Sequence, residues 1–420
     1  MTTTSNQRPQ SRKINVRLPI GWDIEAHTLW LNNQREESIG ALLKVINFQN
    51  EKSGVQHVSL LKQFSYYLFL MNDYASAVPV MQKIAILDPN DFDTQCNLAV
   101  CLSRNQNFDH AAALYEKLVL QNNFNFRIWD GLAYCYSNLS KFEEASQAGE
   151  KSLELKDKKV MSASSPFTLP HQSPKDISSQ KKKVISFSLF GNNPRYLLGA
   201  LQNLLLSKEL YNDWICRFYI DDQVPAEFVS EAKKLNAEII LNTGIYSLTE
   251  KLSWRFAVAN DPQVGYFLIR DTDSVISLRE KNAVFEWLKS EYYFHVMRDW
   301  WTHTELISAG MWGGIAGILP DLNQSLKIFQ SKNQLLETPN ADQIFLREVV
   351  WPCIRNSILV HDRFFESYQS KTWLGPLPSV NFHVGQDEFA TRRSDQLRFL
   401  KSKLGQLSFF ESQNSLPTAL

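Results

Sequence analysis

The chain has 420 residues, with 44 Lys+Arg against 44 Asp+Glu, so its formal net charge is zero and no global basic field points to nucleic acid. Its 44% hydrophobic and 21% charged residues describe a globular rather than a disordered chain, and the length predicts two or three domains. Cys96, Cys101, Cys135, Cys216 and Cys353 form no C-x-x-C pair, which excludes a zinc ribbon and gives no support to a disulfide framework. The opening MTTTSNQRPQSRK lacks the apolar core of a signal peptide, and no run of 18 apolar residues follows. The expected location is the cytoplasm, with peripheral association with the inner face of the membrane left open and no transmembrane segment.

From residue 25 the pattern is helical. Residues 25–50, with Leu29, Trp30, Leu31, Ile39, Leu42, Leu43, Val45 and Ile46, read as a degenerate capping unit. Beyond it runs a period of 34: Tyr74, Phe108 and Phe142 share one position, and Ala77, Ala111 and Ala145 another. Leu98-Ala99-Val100-Cys101 returns as Leu132-Ala133-Tyr134-Cys135. Each unit predicts two amphipathic helices, with the small residue admitting close helix approach and Pro89 stopping the first unit. This spacing resembles the tetratricopeptide (TPR) repeat over about residues 57–156. Stacked repeats bury a shared core and present a concave face, so a protein partner is expected there. Asn97, Arg104, Arg127 and Asn138 are candidate groove residues, each also readable as a solvated polar side chain.

Residues 157–183 contain six Ser, three Pro and six Lys, a composition that predicts a flexible linker. From Val184 the pattern changes. Short apolar runs (Val184–Phe190, Cys216–Ile220, Glu238–Leu241, Tyr266–Arg270, Tyr293–Met297, Ser357–Val360) alternate with helical stretches (Tyr196–Leu210, Pro225–Leu235, Ala283–Ser290, Asp342–Val350). Such alternation predicts an α/β, Rossmann-like sheet covered on both faces, spanning 184–395, with 396–420 as a tail. The fold class expected for the whole is therefore multidomain: an all-α repeat array over 25–156 plus an α/β domain.

In α/β sheets ligands gather at the carboxyl ends of strands. Three predicted strands end on acids: Asp221-Asp222, Asp271-Thr272-Asp273 and Asp299. In the D-x-D motif a period of two places Asp271 and Asp273 on one side of an extended segment, where two hard oxygen donors suit Mg2+ or Mn2+. The same motif also reads as a strand-ending turn.

The order Trp254-Arg255-Phe256, Asp261-Pro262, Phe267-Leu268-Ile269-Arg270-Asp271-Thr272-Asp273-Ser274, Arg279-Glu280, Phe294-His295-Val296-Met297-Arg298-Asp299 and Ala309-Gly310-Met311-Trp312-Gly313 resembles a group of bacterial glycosyltransferase-like proteins with the GT-A fold. The resemblance spans most of 184–390. It implies that Asp271 and Asp273 hold a divalent metal gripping the diphosphate of a UDP- or GDP-sugar. It further implies that Asp342-Gln343 lines the sugar or acceptor pocket, and that His383, in Asn381-Phe382-His383-Val384-Gly385, completes the metal site. Trp300-Trp301-Thr302-His303 departs from the family, where a His-Pro pair follows Arg-Asp, and this touches the acceptor contacts most.

Departure of a phosphate leaving group requires charge neutralisation, for which Arg255 and Arg270 are the candidates beside the metal. An inverting enzyme also needs a carboxylate base, for which Asp299 is the first candidate; in a retaining one Asp342 or Gln343 sits against the sugar. Trp312, flanked by glycines, suits either stacking on a sugar or burial in the core. The expected function is metal-dependent glycosyl transfer to a glycan, lipid-linked or protein acceptor, with the repeats recruiting a partner. The alternatives are a nucleotidyltransferase, for which Phe190-Gly191-Asn192-Asn193-Pro194-Arg195 is a poor phosphate loop, and an inactive TPR adaptor.

Overall fold

The computed structural model describes residues 18–54, 57–161, 167–178, 180–333, 340–366, 371–373, 383–405 and 407. The chain divides into two compact units, 1–123 and 124–420.

The first unit is helical: α1 (Ile24–Leu31), α2 (Arg35–Ser53), α3 (Val58–Leu70), α4 (Tyr74–Leu87), α5 (Phe92–Arg104) and α6 (Phe108–Gln121). Trp30 of α1, Leu42 and Ile46 of α2 and Tyr67 of α3 share one buried core, so the capping pair is integral to it. The second unit opens with a further helical pair, α7 (Phe126–Asn138) and α8 (Phe142–Met161). The 34-residue period is present in the backbone as well as in the side chains. Asn72, Gln106 and Ser140, each two residues before the second helix of its pair, take φ of 61°, 60° and 59°. This left-handed residue turns the chain between the paired helices. Ala77, Ala111 and Ala145 have no exposed surface, as the close helix approach requires.

The rest of the second unit comprises α9 (Pro174–Ser178), β1 (Lys182–Leu189), α10 (Pro194–Leu210), β2 (Trp214–Ile220), α11 (Ala226–Lys234), β3 (Glu238–Leu241), α12 (Leu248–Ser253), β4 (Val264–Arg270), α13 (Leu278–Leu288), β5 (Phe294–Arg298), β6 (Met311–Ile315), α14 (Leu322–Asn333), α15 (Ala341–Phe345), α16 (Trp351–Ile354), β7 (Ile358–Asp362), β8 (Lys371–Thr372) and α17 (Glu388–Leu404). One sheet runs β3-β2-β1-β4-β6-β5-β7-β8. All pairings are parallel except those of β6 with β4 and β5. On one face of β1, Ser186 and Ser188 donate hydrogen bonds to Arg255 O and Leu252 O, which fastens α12 and the following 3₁₀ segment (Trp254–Asn260) to that face. Ile185, Phe187 and Leu189 alternate to the other face and join the main core.

Three features differ from the sequence expectations. First, the stretch expected to be linker is largely engaged. Helix α8 continues to Met161, with Leu153 and Val160 in the core of the sheet unit. Asp157 accepts from Trp351 Nε1 (2.7 Å) and pairs with Arg355 (2.9 and 2.8 Å). Tyr293 donates to the carbonyls of Pro170 and Gln172, and Lys183 pairs with Asp213 at 2.6 Å. Second, helix α17 passes through position 396 and buries Leu400, so the expected tail begins as packed helix. Third, no strand is expected over the glycines around Trp312. Gly313 and Gly314 are instead strand residues: a Cβ on Gly313 would meet Phe267 O at 2.6 Å, and one on Gly314 would meet the Phe294 ring at 2.5 Å.

Among the described residues no helix is long and apolar enough to cross a membrane.

Candidate functional site

The sheet reverses direction of growth at β1. From β1 the chain adds β2 and β3 on one side, then returns to lay β4 on the other. The carboxyl ends of β1 and β4 therefore flank a topological switch point, the place where doubly wound sheets bind ligands. Every residue of β4 is buried, and the strand delivers Asp271 and Asp273, both half-buried, to this crevice.

Each of the two carboxylates faces an arginine. Arg255, on the 3₁₀ segment, pairs with Asp271 and reaches Asp342 at 3.1 Å. Burial works against its charge, but Asp271 and Asp342 override that and raise its pKa. Arg195, near the start of α10, bridges Asp273 (2.8 Å) and Asp387 (2.7 Å). Burial, reinforced by Asp271 and partly offset by Arg195, pushes Asp273 up to about 6. Burial likewise raises Asp342, with Arg255 acting the other way. Four carboxylates around two guanidiniums leave two negative charges uncompensated when all are ionised. Gln343 accepts a 2.5 Å hydrogen bond from the Ala309 amide. The next residue, Gly310, lies so close to Asp271 that a Cβ there would collide with the carboxylate. Arg255, Asp271, Asp273, Asp342 and Gln343 thus converge; sequence reasoning missed Asp387 and the close approach of Gly310, and met Arg195 only as the end of a poor phosphate loop. A lone arginine opening a helix carries no pattern of its own.

The remaining expected site residues lie elsewhere or are otherwise committed. Arg270 turns inward: its Nε reaches Glu280 at 2.5 Å and its Nη1 donates to Ile269 O and Trp312 O, so it does not face a phosphate. Trp312 is wholly buried and packs edge-on against Phe256 and Phe267, which corrects the sugar-stacking expectation. Asp299 is also wholly buried, and both its oxygens are engaged. Arg363 binds one at 2.9 Å, while Arg279 (2.7 Å) and the Val384 amide (3.1 Å) bind the other. This is the environment of an anchor, since both carboxylate oxygens are held by arginines, one of them also by a backbone amide.

His383 stacks on Trp300 with ring centroids 4.8 Å apart, and its Nδ1 lies 3.0 Å from Val384 O. Burial lowers its pKa. Among the described residues no group of three or more His, Cys, Asp or Glu could hold a metal ion, so the expected trio of Asp271, Asp273 and His383 is not assembled here. Asn381 and Phe382 of the same motif lie outside the described residues. Asp271 and Asp273 alone supply the hard oxygen donors and negative charge that suit a divalent cation, and each is already ion-paired with an arginine. The loop after β1 fits phosphate poorly, because the Gly191 amide already donates to Asp221 at 2.9 Å.

The helical first unit has a site of its own. A cavity of about 560 Å³ is lined by residues including Trp22, Lys62, Tyr66, Phe69, Asp93 and Asn97. Of the groove residues expected from sequence, Asn97 lines it. Arg104 does not, and Arg127 and Asn138 belong to the other unit. The signal overlooked was the i, i+4, i+7 spacing of Lys62, Tyr66 and Phe69.

Comparison with known proteins supports the helical half. Two family models described as tetratricopeptide repeat match residues 68–135 and 126–159, and the chain carries these repeats. MamA (41-end) from Desulfovibrio magneticus RS-1 is similar to the chain at 21% identity, covering 31% of this chain and 71% of that one, with a TM-score of 0.28. YrrB, described as a TPR protein with an unusual peptide-binding site, is similar at 15% identity over 31% of this chain and 64% of that one, with a TM-score of 0.28. Likeness at these scores carries no functional argument. No match is found among curated proteins. The repeats point to a protein partner, and the remainder of the chain is a mixed α/β sheet domain.

Proposed function

We propose that the protein is a docking protein whose first helical unit holds an extended segment of a partner. The supporting observation is the 560 Å³ cavity, lined by first-helix side chains of α3 and α5 together with Met81 and Ile84 of α4 and Trp22. The test is binding of the full chain to an arrayed peptide library. Saturable binding is expected, with loss in the Tyr66→Ala, Phe69→Ala double variant. Binding that survives the double variant, or no binding at all, sinks the reading.

A second reading concerns the α/β domain and rests on Asp271 and Asp273 at the switch point. In it, the domain transfers a sugar from a UDP- or GDP-sugar to an acceptor. Asp271 and Asp273 would hold Mn2+ or Mg2+, which when bound neutralises the diphosphate leaving group. Arg255 bridges Asp271 and Asp342, and Gln343 fixes the Ala309–Gly310 backbone against the carboxylate. Arg270, Trp312 and His383 have no part in this reading, and Asp299 does not serve as the base. Calorimetry with UDP- and GDP-sugars, with and without Mn2+, tests it. Metal-dependent binding lost in the Asp271→Ala, Asp273→Ala variant is expected; no binding, or binding unchanged in that variant, leaves the adaptor reading alone.

A further inference from the structure

The walls of the docking cavity carry a polarity that defines the partner's chemistry. Along α3 the lining residues are Lys62, Tyr66 and Phe69; along α5 they are Asp93, Asn97 and Val100. Both sets follow i, i+4, i+7, so each is one stripe running from a charged to an apolar side chain. The two helices contribute their charged ends at matching positions, since each stripe begins in the first two turns of its helix.

At the charged end the opposing signs are not left equal. The Lys62 ammonium is already paired with Asp91, and burial of Asp91 is outweighed by that pairing and by Thr94, which hold its carboxyl below the usual range. The exposed Asp93 carboxylate is left as the surplus charge. Trp22 and Tyr66, which line the same cavity, meet with ring centroids 5.5 Å apart, and Tyr66 is 42% exposed. A cavity that combines an aromatic pair with an uncompensated carboxylate favours a cation, preferentially a guanidinium, by ion pairing and by cation–π attraction. At the other end Phe69 and Val100 offer only apolar surface. Seven helical residues span about 10 Å, which is roughly three residues of extended chain.

We infer that the cavity takes an extended peptide segment of a partner protein carrying Arg or Lys three residues before or after a large apolar side chain, the cation over Tyr66 and Asp93 and the apolar group against Phe69 and Val100. This rests on the docking reading above and adds the chemistry of the ligand.

Three fluorescent twelve-residue peptides, differing only in whether Arg, citrulline or Glu stands three residues before a Leu, test it by anisotropy against the full chain. The Arg peptide binds at least tenfold tighter than the citrulline peptide, and the Glu peptide is weakest. Asp93→Asn reduces the Arg preference to threefold or less, and Asp93→Lys reverses it in favour of the Glu peptide. If all three bind equally and Phe69→Ala weakens them together, the groove docks peptides but does not read charge, and the inference is overturned while the docking reading stands. If none binds at millimolar concentration, both fail. An Arg preference that persists in Asp93→Lys also overturns the assignment.

Discussion

The third and fourth helical pairs, α5–α6 and α7–α8, follow one sequence grammar but end in different surroundings. Both bury their Leu, Ala and Cys at equivalent positions, and both turn on a left-handed residue. Beyond that they part. Tyr115 of α6 becomes Gly149 in α8, where the Phe365 ring fills the space a side chain would need. The exposed Asn122 and Asn123 become Lys156 and Asp157, both buried. Lys156 pairs with Asp130 (2.9 Å) and Glu305 (3.2 Å) and donates to Thr304 O. Phe142 stacks on Trp301, which stacks on Phe364. A repeat module can thus keep its internal code while its outward residues are rewritten to become a wall of another fold.

The largest effect expected from this comparison is at Lys156. Lys156→Ala removes a wholly buried ammonium from the half-buried Asp130 and Glu305 and should cost about 3 kcal/mol in denaturant unfolding of the sheet unit. Asn122→Ala, 34 residues earlier, should stay within about 0.5 kcal/mol. Equal losses at the two positions would break the contrast. Next, Gly149→Ala should destabilise by about 1–3 kcal/mol through overpacking against Phe365, even though alanine is the better helix former by about 1 kcal/mol. A stabilised variant would show that the Phe365 contact yields freely.

A pH effect sharpens the comparison further, because only the sheet unit buries a histidine pair. His295 Nε2 and His361 Nδ1 lie 2.8 Å apart, and His361 Nε2 is 2.8 Å from Glu286. Burial pulls His361 down to about 4. Between that value and the unfolded 6.5, the unfolded chain binds the extra proton, so stability falls as pH falls through this window. The slope from one such group is at most about 1.4 kcal/mol per pH unit. Thermal scans from pH 7 to 4.5 should show this decline, and His361→Gln should make it shallower, with the buried and likewise lowered His295 and His303 keeping their share.

The smallest expected change is local to the proposed catalytic site. Gly310→Ala displaces the Asp271 carboxylate and should weaken Mn2+ binding about tenfold in calorimetry, with the proposed peptide docking on the first unit unaffected; tenfold is about 1.4 kcal/mol. Unchanged Mn2+ affinity would separate Gly310 from the role assigned to it.

What could be read in advance follows physical locality. The 34-residue period was legible because Ala77, Ala111 and Ala145 answer to a helix contact repeated within each pair. Six of the strands were legible from β-branched and aromatic runs, with β3 matching at both ends. The strand β6 was not, because its glycines answer to Phe267 and Phe294, residues distant in sequence. Asp271 and Asp273 stood out by spacing, whereas Arg195 and Asp387 meet them only through the fold. Asp299 drew attention by its place at a strand end and Trp312 by its flanking glycines, and only the folded chain reveals the arginines and aromatic rings that enclose them.

The division of the chain at Asn123 falls between two repeats of the same array. The exchangeable piece of this protein is therefore one repeat shorter than its repeat count suggests. A recombination that swapped the partner-docking helices while keeping the sheet unit sound would have to leave α7 and α8 behind, so lineages could vary in their first six helices while inheriting the last pair with the α/β domain.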